Sequence, residues 1–170
     1  MSHLAGRAPR VLVMLALLFP VLSARPVHAD AAHDQAAISA VMRSTWDRPE
    51  SPLQVEPIVV VGAHAVAGWA QGDSGGRALL RRTDGKWLLH LCSGDALKET
   101  AFLVQSGLSH DDAATMARAV AAAEAALPAA RVALFSRFDG VVMMDAAGNH
   151  PPAAGHGHGT GHGTGHGHKH

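Results

Sequence analysis

The chain of 170 residues is poor in cysteine, in aromatic residues and in net charge. Its single cysteine, Cys92, excludes an intramolecular disulfide framework and any CxxC redox or zinc-ribbon site. Its 14 basic and 14 acidic side chains cancel, which excludes a basic nucleic-acid binder and an acidic disordered tail protein. The apolar run Val11 to Leu22 is too short to cross a bilayer, where a helix needs about 20 residues. What remains is 48% hydrophobic and long enough for one globular core. Histidine is the residue in excess, at 13, and its placement carries the functional reading.

The N-terminus reads as an address. Arg7 and Arg10 precede the apolar run, and Val27-His28-Ala29 supplies small residues before Asp30, the pattern of a secretory signal peptide over residues 1–29. Its removal takes Arg7, Arg10 and Arg25 and no acid. The expected mature chain has 11 basic groups against 14 acidic ones, is periplasmic, and has no membrane segment. Cys92 would then sit in an oxidising compartment without an intrachain partner.

The remainder divides into a domain over residues 30–149 and a tail over 150–170. Ile38, Val41, Met42 and Thr45 recur at helical spacing, predicting a helix from Ala31 to Trp46 that ends at Arg48-Pro49. Val55–Val61, His64–Ala70, Arg77–Arg82 and Lys86–Cys92 read as strands, and Asp84-Gly85 is a two-residue hairpin signal, so residues 53–92 predict a four-stranded antiparallel meander. Asp95 is placed to cap a helix from Ala96 to about Gln105. Ser109 to Asp112 form a capping-box variant, opening a second helix with Ala113, Met116, Ala117, Val120, Ala123 and Leu127 on one face. Residues 131–144 look extended and predict a short hairpin. The fold class expected is α+β: an N-terminal helix, the meander, two helices and a C-terminal hairpin. The helix-then-curved-sheet opening is similar to cystatin-like layouts, a likeness of fold that carries no chemistry.

Gly72-Asp73-Ser74-Gly75-Gly76 spells the nucleophile motif of trypsin-like proteases, and Ala31-Ala32-His33 weakly echoes their histidine motif. That family needs two six-stranded barrels and a triad drawn from well-separated segments, more than this chain holds. The stretch reads instead as a turn in which Gly75 and Gly76 supply positive φ.

From Gly155 to Gly167 every odd position is glycine, with His156, His158, His162 and His166 among the even ones; His168 and His170 follow. Such a sequence has no apolar side chain to bury and is expected to be disordered without a ligand. Imidazole is the commonest protein ligand for borderline metals, and glycine spacing lets several rings reach one ion. Intrinsic affinity favours copper, with nickel or zinc as alternatives, and proton competition should weaken binding below about pH 6.

His90 and Cys92 lie two apart on the last predicted strand, so strict alternation puts them on one face with Leu88, and Trp87, Leu89 and Leu91 on the other. One reading is a buried thiol beside a satisfied histidine. The other is a soft-metal site for Cu(I), completed by Met143 or Met144 if the C-terminal segment folds against this strand. His33, His64 and His110 are isolated and read as structural or solvated.

Several strings occur together: Ala65-Val66-Ala67-Gly68-Trp69-Ala70-Gln71-Gly72, Gly75-Gly76-Arg77-Ala78-Leu79-Leu80, Asp84-Gly85-Lys86-Trp87, Leu91-Cys92-Ser93-Gly94-Asp95-Ala96-Leu97 and Phe135-Ser136-Arg137-Phe138-Asp139-Gly140. In combination, from Ile38 to Met144, they resemble the bacterial copper uptake system-associated protein family. The resemblance implies a periplasmic protein associated with copper import, with an outer-membrane or periplasmic copper-transport component as partner, and supplies no established catalytic activity to carry over. The expected function is thus a non-enzymatic, metal-binding accessory protein. The alternatives are a cystatin-like small-ligand-binding domain with an incidental tail, which predicts a cavity between helix and sheet lined by polar groups, and a nickel or zinc storage module.

Overall fold

A computed structural model of the chain describes residues 27–145. The expected signal peptide, except its last three residues, and the Gly/His tail lie outside them. The architecture is α+β, a five-stranded antiparallel sheet with four helices. In chain order the elements are α1 (Val27–Trp46), β1 (Gln54–Val61), β2 (His64–Gln71), β3 (Ser74–Thr83), β4 (Lys86–Ser93), a 3-10 turn (Asp95–Lys98), α2 (Thr100–Gln105), α3 (His110–Ala125), α4 (Ala129–Phe135) and β5 (Val141–Met143). The strands lie in the order β1-β2-β3-β4-β5.

Local chemistry sets the meander. Asp84 and Gly85 both take positive φ (50° and 75°), the requirement of the tight turn between β3 and β4. The β2–β3 turn is shorter than expected: positive φ falls on Gly72, and β3 already begins at Ser74. Gly75 and Gly76 are therefore strand residues, wanted for another reason. A Cβ on Gly75 would lie 2.8 Å from that of Leu134, and one on Gly76 would lie 2.9 Å from the Phe138 ring. They form a floor for the chain that passes over them.

Both faces of the sheet are covered. Ile38 and Met42 of α1 pack on Ala65, Ala67, Ala78, Leu80, Trp87 and Leu89. On the opposite face Val66, Leu79 and Leu91 meet Leu97, Leu103, Met116 and Val120 from the helical segment. Gly75 to Leu80 are consequently buried without a break, the pattern of a strand covered on both sides. Asp34 ties α1 to the sheet, accepting from Trp87 Nε1 (3.0 Å) and Arg82 Nη2 (2.7 Å), with the Arg82 guanidinium stacked 4.6 Å over the Trp87 ring.

The second half departs from expectation in three places. Residues 96–105 are two pieces, because Glu99 is extended between the 3-10 turn and α2. Asp95 makes no cap there; its carboxylate accepts from Arg77 and Ser136 instead. Ser109 does cap α3, accepting from Asp112 N at 3.1 Å. Residues 131–144 form no hairpin. Ala129–Phe135 is helical, entered through Pro128 and two alanines, both suited to a helix start. Its Phe135 is fully buried over Gly68, and that burial outweighs the strand-like run of residues 131–135. The single strand that follows, β5, pairs with β4 through Leu91↔Met143, Cys92↔Val142 and Ser93↔Val141.

Candidate functional site

The His90–Cys92 pair depends on the phase of β4, and the phase is broken. Leu79 pairs with Leu91 but Leu80 pairs with Leu89, which leaves one extra residue on β4 at His90. Such a bulge shifts the alternation by one position. Cys92 therefore joins Trp87 and Leu89 in the α1-side core, the residues from which strict alternation separates it, while Leu91 goes to the other cluster. His90 lines a neighbouring hollow, with Arg81, Leu88, Leu89, Met144 and Asp145. The two side chains line separate hollows that share Met144, and the break in phase at His90 corrects the strict alternation expected of Leu88, His90 and Cys92.

Their electrostatics differ too. Burial pushes the Cys92 thiol up to about 12, so it is protonated at neutral pH. His90 is held below the usual imidazole range by partial burial and then by the Arg81 guanidinium. His64, opposite Arg81 on β2, is lowered by the same two causes, with Asp112 acting against them. His33 and His110 are exposed on helix surfaces. Among the described residues, no group of three or more His, Cys, Asp and Glu side chains is placed to hold a metal. The tail histidines His156, His158, His162, His166, His168 and His170 lie outside the described residues.

Docking of β5 does bring one expected methionine to the cysteine. Met144 is buried in the same cluster as Cys92, and its N–H donates to His90 O (2.9 Å), whereas Met143 is 49% exposed. Cys92 and Met144 line a cavity of about 160 Å³ between the C-terminal end of α1 and the sheet, together with Trp46, Trp69, Phe138 and Gln71. The aromatic rings are mutually arranged: Trp69 lies 6.4 Å from Trp46 at a tilt and 5.9 Å from Phe138 edge-on. Gln71 Nε2 is already engaged by Trp46 O and Ser51 O, both at 2.8 Å. Trp69 Nε1 is shut off from solvent and has no hydrogen-bond partner. The lining is thus mainly apolar, not the polar wall that the small-ligand alternative predicted. Three of the chain's seven Trp and Phe residues meet here from three separate segments, so no local motif announced the cavity.

The opposite face holds a polar centre that the sequence reading missed. Arg77 is fully buried, and Glu124 is 4% exposed. Arg77 Nε donates to Glu124 Oε1 at 2.6 Å and Nη2 to Oε2 at 2.8 Å, a bidentate pair; Nη1 reaches Asp95 at 3.0 Å. The guanidinium also lies 5.5 Å from the centre of the Phe135 ring. One signal was present: Glu124 continues the buried line Ala113, Met116, Val120 on α3, where an acid needs a partner. The network joins β3 to α3, the 3-10 turn and α4, and is structural in character.

The fold is thus defined as an α+β domain with an aromatic cavity on one face of its sheet and a buried ionic centre on the other. No family model, curated protein or solved structure matches the chain. Among the described residues, no helix is long and apolar enough to cross a membrane.

Proposed function

We propose that this protein is an exported, non-enzymatic metal-binding accessory protein that binds or buffers copper for an uptake system. The observation that carries the reading is the set of six histidines between His156 and His170, interleaved with glycine as far as His168. The combination of strings between Ile38 and Met144 that resembles the copper uptake system-associated family supports it by a separate route. The domain's own donors favour the tail as the place of binding: His90 and Cys92 open on different hollows, and the Cys92 thiol is protonated. The folded domain then serves as the part that meets a transport partner.

Calorimetric titration of Cu(II) into the mature chain and into a chain ending at Asn149 tests the reading. The mature chain is expected to bind copper with a stoichiometry that the shortened chain lacks, and to lose affinity below about pH 6. Equal binding by the two would refute the tail's role. Metal analysis of protein purified from its own cells, without a nickel resin, separates copper from nickel and zinc.

A further inference from the structure

The expected signal-peptide cut, between Ala29 and Asp30, falls inside α1, which runs from Val27 to Trp46. Cleavage there makes a new chain start, Asp30-Ala31-Ala32-His33. These four residues are all exposed, and the first buried side chain of α1 is Ile38. The helix is first tied to the sheet at Asp34, which is 14% exposed and accepts from Arg82 and Trp87. The new terminus thus lies just ahead of the anchor and supports no packing of its own.

The cut also changes the backbone. In the uncut helix the N–H groups of Ala31, Ala32 and His33 face the carbonyls of residues 27, 28 and 29, one turn back. With those residues gone, the three N–H groups have no intrahelical acceptor. A terminal turn without buried contacts opens at little cost. Cu(II) takes a tetragonal set of nitrogen and oxygen donors. Cleavage assembles such a set within four residues: a free α-amine, the Asp30 carboxylate beside it, released amide nitrogens and the His33 imidazole. Ala31 and Ala32 put no bulk between them.

We infer that the processed N-terminus is a second copper site, in which the Asp30 α-amine, the His33 imidazole and at least one amide nitrogen between them chelate one Cu(II) ion. The metal keeps its oxidation state. Each coordinated amide exchanges its N–H bond for an N–Cu bond and gives its proton to the buffer, and the resulting negative charge offsets that of the ion. The site rests on the reading of the chain as exported and cut after Ala29, and it is independent of the histidine tail.

Mature protein is purified from its own cells without a nickel resin, and mass spectrometry is expected to find Asp30 as its first residue. The full mature chain with its six tail histidines replaced by glutamine is then titrated with Cu(II) at neutral pH. Binding is followed by visible circular dichroism and by proton release. One ion should bind, with a visible band from the copper–amide chelate and with release of more protons than the amine and the imidazole supply. Acetylating the α-amine should abolish the band, and so should His33→Gln. His33 is exposed, so that variant should keep the urea midpoint of the parent. A band that survives either change, or a mature chain that begins elsewhere, overturns the inference. A chain recovered uncut overturns export and inference together. A chain cut at Asp30 that shows no band overturns the inference alone and leaves the tail's copper binding standing.

Discussion

Truncating Glu124 to alanine isolates the buried ionic centre. The substitution removes both carboxylate oxygens that Arg77 holds at 2.6 and 2.8 Å and leaves the guanidinium with one ionic contact, to Asp95. Arg77 stays fully buried, while the Asp95 side chain is 61% exposed, so solvent screens what remains. Breaking a buried pair on one side typically costs about 3–5 kcal/mol, and the surviving Asp95 contact puts the expectation at about 3. For a domain of this size that corresponds to a drop of roughly 10–15 °C in Tm. Replacing both partners, Arg77→Met with Glu124→Leu, removes the stranded charge. The double variant should recover at least about 1–2 kcal/mol relative to Glu124→Ala, because a buried pair exchanged for apolar groups is often close to neutral. The assay is urea and thermal unfolding followed by tryptophan fluorescence, run on all variants at one pH and salt concentration. A cost below about 1 kcal/mol for Glu124→Ala, or a double variant no more stable than the single one, would refute the reasoning.

Three further outcomes are expected. Gly94→Ala should lower the urea midpoint by an amount equivalent to about 1–3 kcal/mol, because its Cβ would lie 2.4 Å from the Phe138 carbonyl oxygen; an unchanged midpoint would contradict that contact. Cys92 should resist alkylation in the native chain at pH 8 and react fully in urea, since its thiol is buried and pushed up to about 12; prompt native reaction would show the thiol to be accessible. His64 and His90 are lowered in the folded state, so the unfolded chain binds protons first as pH falls: stability is full above about 6.5 and declines below it. Denaturation midpoints at pH 8 and pH 5 should show that decline, and His64→Gln with His90→Gln should flatten it. Asp95, lowered chiefly by the Ser136 hydrogen bond, acts separately in the lower carboxylate range.

The parts legible in the sequence were those governed by neighbours a few residues apart. Asp84-Gly85 specified its turn, the β-rich runs specified four strands, and Ser109 specified the start of α3. What escaped depended on distant partners. The bulge at His90 has no signature within Lys86–Ser93; it exists in the register against β3 and moves Cys92 to the α1 face of the sheet. Residues 131–135 read as extended by pattern, yet they form a helix over Gly68 and Gly75, which are bare enough to receive Phe135 and Leu134. Arg77 opens the run Arg77-Ala78-Leu79-Leu80-Arg81-Arg82, which alternates only loosely, and nothing local marked its partner 47 residues away. The cavity shares that character, being assembled from α1, β2, β4 and the segment after α4.

The position of β5 has a consequence for biosynthesis. Strands β1 to β4 are joined by tight turns and can pair as they emerge, but the Leu91–Ser93 end of β4 keeps an open edge until residues 141–143 appear. At about 5–20 residues per second, the intervening helices take roughly 2–10 s to synthesise. Through that interval an apolar strand presents unpaired N–H and C=O groups, the template for pairing with a second nascent chain. The three-residue strand is therefore a late clasp. A message cut short before Val141 would encode every helix yet leave that edge unguarded, and its product should aggregate where the complete chain remains dispersed.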